Sequence, residues 1–132
     1  VYNCVSGYKL PAYDHDRAWF VNQADLNILF AEAHEMYGNT MNLLKQACKT
    51  KLFVLDDLGT RPPSPAFMDF LYGVIDSRWR AREEKATIIT TNLTASGMRE
   101  KFGDAFFSRA ASGISLVFEG RDRRFDSTKK VL

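Results

Sequence analysis

Cysteine and histidine are scarce in this chain: two of each in 132 residues. Cys4 and Cys48 lie far apart, which excludes a disulfide framework and a cysteine-rich metal centre and leaves buried free thiols as the reading. His15 and His34 have no partner at metal-binding or catalytic spacing, and neither is given a metal-binding or catalytic role. Charge of one sign is also missing, since 18 Lys and Arg against 16 Asp and Glu leave +2. That balance permits contact with a polyanion without arguing for it. No apolar run approaches the ~20 residues of a membrane-spanning helix. No signal-peptide pattern occurs in the 132 residues, so a cytoplasmic compartment is the expectation. No repeat and no low-complexity block breaks the chain, which reads as one domain with a sizeable core.

The rest is organised around Lys51–Gly59, Lys-Leu-Phe-Val-Leu-Asp-Asp-Leu-Gly. Four apolar residues running into two carboxylates predict a strand of a parallel sheet, buried on both faces. Carboxylates rarely sit at such a place unless paired or bound to a metal. Ligands of open α/β sheets bind beyond the carboxyl ends of the strands. Asp56 and Asp57 are therefore the candidate chemical residues, and strand alternation points them to opposite sides, with separate jobs.

The flanking segments supply the frame. Val1, Tyr2, Val5 and Tyr8 have helical spacing and predict the last turns of a helix, ended by Gly7 and Pro11. Leu10–Asp16 reads as a polar loop and Arg17–Asn22 as a short strand. Leu26, Leu29, Phe30 and Ala33 define a helical face, continued by Met36 or Tyr37. After Gly38-Asn39, a second helix carries Met41, Leu44 and Ala47–Cys48. Ser64-Pro65 is an N-cap followed by proline at the first helical position. The long helix it opens buries Phe67, Met68, Leu71, Ile75 and Trp79, with Arg78, Arg80, Arg82, Glu83 and Glu84 as its solvated end. Ala86–Thr91 is a β-branched strand ending at Asn92. Thr94 caps a helix over 95–102, Asp104 caps another over 105–111, and Ile114–Glu119 is the last strand. Strands alternating with helices give an α/β domain with a mostly parallel sheet.

Three polar points stand at or beyond strand ends: Asp56–Asp57, Asn92 and Arg109. Singly, Asn92 reads as a turn residue, Arg109 as a complement to a helix dipole, and Arg121, Arg123 and Arg124 as a solvated basic patch. In order, the segments resemble the nucleotide-binding core of AAA+ ATPases, and more narrowly the DnaC-type helicase loaders and IstB-type transposition ATPases. Leu-Phe-Val-Leu-Asp-Asp-Leu-Gly resembles their Walker B strand, and Ile-Ile-Thr-Thr-Asn their sensor-1 strand. Phe-Phe-Ser-Arg-Ala is similar to the segment carrying their arginine finger. Ser-Leu-Val-Phe-Glu-Gly-Arg-Asp-Arg-Arg-Phe resembles their last strand and the Arg-bearing motif after it. Phe-Val-Asn-Gln-Ala-Asp-Leu is similar to their second strand entering its helix. The resemblance runs from about Trp19 to Phe125.

It implies a P-loop NTPase-like three-layer sandwich over residues 1–132, with ATP and Mg²⁺ as cofactors. By the same resemblance Asp56 would hold Mg²⁺ and Asp57 would orient or deprotonate the attacking water. Asn92 would hydrogen-bond that water or the γ-phosphate. Arg109 would reach the γ-phosphate of a neighbouring subunit, and Arg124, ahead of Arg123 and Arg121, would be a second phosphate-sensing cation. It further implies a nucleotide-dependent homo-oligomer and a replicative helicase or transposase as client. Single-stranded DNA would lie along residues 25–48, where Lys45 and Lys49 are the cations and His34, Tyr37 and Phe30 the candidate stackers.

One part of the pattern is missing, because no Gly-x-x-x-x-Gly-Lys-Ser/Thr run occurs in the sequence. In the resemblance, Val1–Tyr8 falls on the far half of the helix that follows that loop. The expectation is that the loop and the first strand lie upstream, leaving this chain with a strand-sized gap and unpaired edges. Two alternatives stay open. One is a non-hydrolysing AAA+-like adaptor that binds a helicase or transposase. The other is a response-regulator receiver using Asp57 and Thr90 or Thr91, opposed by the lack of an N-terminal acidic pair and of any Lys-Pro.

Overall fold

The computed structural model describes residues 17–124, apart from the side chain of Tyr37, and the backbone of 2–5 and 8–11. The readings made for Cys4, His15, the Tyr37 side chain, the loop over 12–16 and the tail from Phe125 lie outside these residues. The described elements run β1 (Tyr2–Val5), β2 (Tyr8–Pro11), β3 (Ala18–Asn22), α1 (Gln23–Tyr37), α2 (Met41–Lys49), β4 (Leu52–Leu58), α3 (Pro65–Arg80), β5 (Ala86–Thr91), α4 (Ala95–Phe102) and α5 (Asp104–Ala110).

β3, β4 and β5 form a parallel sheet in that order, with Phe20 opposite Val54 and Val54 opposite Ile88. Each crossover between parallel strands is right-handed as a rule, so strands laid down in one direction receive their helices on one face. All five helices contribute to a single core there, in which Trp19, Phe53 and Leu55 from the sheet meet Leu26, Phe67 and Phe106. Each such side chain contributes about 1.5–3 kcal/mol by leaving water. The opposite face is more open than a doubly buried strand would have it. Phe20 is 61% and Ile88 50% exposed, and Val54 between them is half-buried.

Local chemistry sets the helix ends. The Asn22 side chain accepts the Asp25 N–H at 2.7 Å to open α1, and Gly38 closes it in the left-handed region at φ 61°. Ser64 accepts the Phe67 N–H at 3.2 Å ahead of Pro65, as its sequence position predicts. Thr94 does the same for Gly97 at 3.1 Å.

Five readings need correction. Tyr2–Val5 and Tyr8–Pro11 are antiparallel strands, Val5 paired with Tyr8, and not a helix end. The aromatic and β-branched residues that gave the helical spacing also suit a strand. Ile114–Glu119 has no regular structure: among the described residues no strand pairs with it, and Ile114 and Phe118 are more than 90% exposed. In α2 the buried residues are Leu43 and Ala47: Ala47 lies on the stripe read through Met41, Leu44 and Ala47–Cys48, but Leu43 was not on it and Met41 is exposed. Asp104 lies inside the first turn of α5, whose N-cap is Gly103. Arg78 is buried at 2% exposure, not solvated.

Candidate active site at the carboxyl end of the central strand

The register between β4 and β5 is regular through Leu55–Ile89, breaks, and resumes at Leu58–Thr91. Asp56 and Asp57 thus oppose the single residue Thr90, which makes a β-bulge on the central strand. Asp57 sits at φ 58°, the one non-glycine residue at positive φ among those described, and aspartate tolerates this region better than most side chains. The extra residue lets Leu58 return to the core while Asp57 is exposed and Asp56 half-buried. Simple alternation across the pair, expected from the sequence, is therefore broken at the bulge. One hydroxyl ties it together: Thr90 Oγ1 accepts the Asp57 N–H at 2.8 Å and donates to Asp56 Oδ1 at 2.5 Å.

The loop leaving the strand is held from three sides. Gln23, at the start of α1 and 2% exposed, accepts the Gly59 N–H at 2.6 Å and donates to the Arg61 carbonyl at 3.0 Å. Lys101 donates to the Gly59 carbonyl at 3.1 Å, and Thr91 to the Leu58 carbonyl at 2.7 Å. Gly59 itself has φ 94°, and a Cβ there would collide with Leu93 Cδ1 and Cγ, so glycine is required on both counts.

Asn92 is exposed on the residue after β5, beside the end of the bulge. Asp56, Asp57 and Asn92 thus all lie at the carboxyl end of the sheet, on two neighbouring strands. Arg109 is elsewhere, with no hydrogen bond or ion pair to those three. Its guanidinium, 28% exposed, pairs with Asp76 Oδ1 at 3.2 Å and stacks on Trp79 at 4.5 Å, both on α3. Asp76 also takes Arg80 Nε at 2.9 Å. The Arg80 hydrogen bond, then that of Arg109, holds the Asp76 carboxyl below its usual range against the opposing effect of burial. Arg124 is exposed and pairs with Asp122 at 3.4 Å. In the segment read as a DNA surface, Phe30 is a core residue packed on Phe67, Phe70 and the His34 ring, while Lys45 and Lys49 are exposed.

Sequence reasoning missed Gln23, Thr90 as a bridging group, and Lys101. Nothing at the first position of a helix marks a glutamine as buried. Thr90 was legible as a strand residue and as a candidate of the receiver alternative, but not as a bridge between Asp56 and Asp57, because that role depends on a bulge. Among the described residues no group of three or more His, Cys, Asp or Glu side chains is placed to hold a metal ion, so Asp56 and Asp57, adjacent in sequence, would need phosphate and water oxygens to complete the shell of a Mg²⁺ ion. Asp56 Oδ2 and the Asp57 carboxylate make no hydrogen bond within the described residues, and these are the oxygens that would be open to such an ion.

The chain also matches a known family. The model of the IstB-like ATP binding protein family fits residues 14–112, about three quarters of the chain. No curated protein matches it. The matched segment carries the whole parallel sheet, its five helices and the Asp56–Asp57 bulge, and it ends just after Arg109. A parallel α/β sheet flanked by helices is the P-loop NTPase-like architecture. The chain belongs to the IstB-like ATP-binding proteins, the IstB/DnaC type of AAA+ domain.

Proposed function

We propose that this protein hydrolyses ATP as a nucleotide-dependent oligomer acting on DNA, with a helicase or a transposase as its client. The observation that supports this most is the bulge, which turns two adjacent carboxylates out of a buried strand beside Asn92. A Mg²⁺ ion held by Asp56 would neutralise charge on the phosphates of bound ATP. Asp57 accepts the proton of the attacking water, and Asn92 orients that water or the terminal phosphate.

Arg109 completes a neighbouring protomer's site. Asp76 and Trp79 hold its guanidinium at the surface between α3 and α5, the side that the neighbour would cover. Arg124 serves as the second phosphate sensor, and the exposed Lys45 and Lys49 contact DNA. In the full-length protein, Arg109→Ala is expected to leave ATP affinity nearly unchanged and to abolish hydrolysis, read by nucleotide titration and phosphate release. Equal loss of both would refute the finger role.

A second reading is favoured by one observation. Arg109 is already satisfied inside its own chain by Asp76 and Trp79, as a non-hydrolysing adaptor would permit. Wild-type phosphate release at the background rate, with ATP bound, would select it.

A further inference from the structure

A hydroxyl has one proton to donate and two lone pairs to accept with. Thr90 commits the proton to Asp56 Oδ1 at 2.5 Å and a lone pair to the Asp57 N–H at 2.8 Å. The first bond is charge-assisted and short, the stronger kind. It fixes one oxygen of Asp56 and leaves Oδ2 as the oxygen able to bind something else. The second satisfies an amide that the bulge has taken out of the strand ladder. With that amide satisfied, Asp57 keeps its positive φ and its exposed carboxylate. One side chain on the neighbouring strand thus sets both the orientation of Asp56 and the backbone of Asp57.

We infer that Thr90 is a positioning residue for the Asp56–Asp57 pair, preparing it for a divalent cation. The inference rests on the reading of the pair as the cation-holding end of the ATP site. The alternative is that Thr90 is simply a β-branched strand residue at an exposed position. The two accounts part on substitution. Thr90→Val keeps the β-branch and removes the hydroxyl; Thr90→Ser keeps the hydroxyl and removes the branch. A strand-propensity role makes valine neutral and serine harmful. A positioning role makes valine harmful at the site and serine nearly silent there.

The test is a titration of the ¹⁵N-labelled chain with Mn²⁺ alone, following paramagnetic broadening of the Asp56 and Asp57 amides, with thermal unfolding of each variant alongside. Removing a group that orients a metal-binding carboxylate typically weakens metal affinity 10–100-fold. Thr90→Val should therefore shift the midpoint up by roughly 10–100-fold at unchanged unfolding temperature. Thr90→Ser should hold the wild-type midpoint while melting somewhat lower. A Val variant with the wild-type midpoint overturns the positioning role and leaves the cation reading standing. Absence of selective broadening at Asp56 and Asp57 in the wild type overturns the cation reading, and the inference with it.

Discussion

Replacing Arg78 by methionine keeps most of the stem volume and deletes a buried guanidinium that has no carboxylate partner. Its Nε donates to Thr87 Oγ1 at 2.7 Å. Nη1 donates to the carbonyls of Ala47 and Thr50, both at 2.8 Å, and Nη2 to that of Ala86 at 2.7 Å. The group also lies 5.4 Å from the Phe53 ring centroid. It therefore joins the end of α2, the link from α2 to β4 and the start of β5, at the end of the sheet remote from Asp56. Four short charged hydrogen bonds at about 1.5–3 kcal/mol each would give roughly 6–12 kcal/mol gross. Desolvation of the cation offsets several kcal/mol of this, and the same burial pushes Arg78 below its ordinary pKa. Arg78→Met leaves no charge behind but strips neutral acceptors of their donor, two of them the buried Ala47 and Thr50 carbonyls, and at about 1–3 kcal/mol for each buried group the expected loss is roughly 3–5 kcal/mol. In a domain of this size it lowers the melting temperature by roughly 10–20 °C. Urea unfolding followed by tryptophan fluorescence, at an unchanged m-value, measures it. Arg78→Lys should recover less than half, because an ammonium cannot span acceptors that a planar fork reaches. Arginine stays charged through neutral pH, so the loss should be equal at pH 6 and pH 8. A methionine variant destabilised by less than about 1 kcal/mol would refute the account.

Two further outcomes follow from the same contacts. Gln23→Leu strands the buried Gly59 N–H and removes the donor to the carbonyl of the exposed Arg61, and at about 1–3 kcal/mol for the one buried group equilibrium unfolding should show a loss of roughly 1–3 kcal/mol. Asp76 has a folded pKa held below its ordinary 3.8, first by Arg80 and then by Arg109. Its ionised form therefore stabilises the fold fully above the unfolded value, and that contribution is lost as pH falls through the lower folded value. The stability difference between wild type and Asp76→Asn, measured across an acid titration, should be constant near neutrality and shrink below about pH 4. A difference that grows on acidification would contradict the pairing.

Much of this fold can be read in the sequence wherever local pattern and tertiary role agree. Leu26, Leu29, Phe30 and Ala33 repeat at helical spacing because they face one core, and all four are buried. The central strand was legible because a continuous apolar run can hardly be placed elsewhere. The failures occur where a residue's role depends on a partner far along the chain. Ile114–Phe118 has strand chemistry, but a strand exists only when paired, and nothing in its own residues says whether a neighbour is there. Arg78 continues the buried stripe of Leu71, Val74 and Ile75 along α3. Its charge hid that phase, since the carbonyls that satisfy it come from three other segments. The two carboxylates and Asn92 were singled out as strand-end residues, and strand ends are where they lie. The bulge was not, because a backbone at φ 58° on an aspartate leaves no mark in composition.

The bulge also separates what the sheet requires from what the site requires. Phe53 and Leu55 are buried two apart, and Leu58 is buried three further on. Strike Asp57 from the chain and the three leucine and phenylalanine positions fall into unbroken alternate order, with Asp56 the last polar residue before the turn. In that sense Asp57 is a spliced-in residue. The strand would be complete without it, and the second carboxylate can be gained or lost by a single-codon insertion or deletion without rewriting the core behind it.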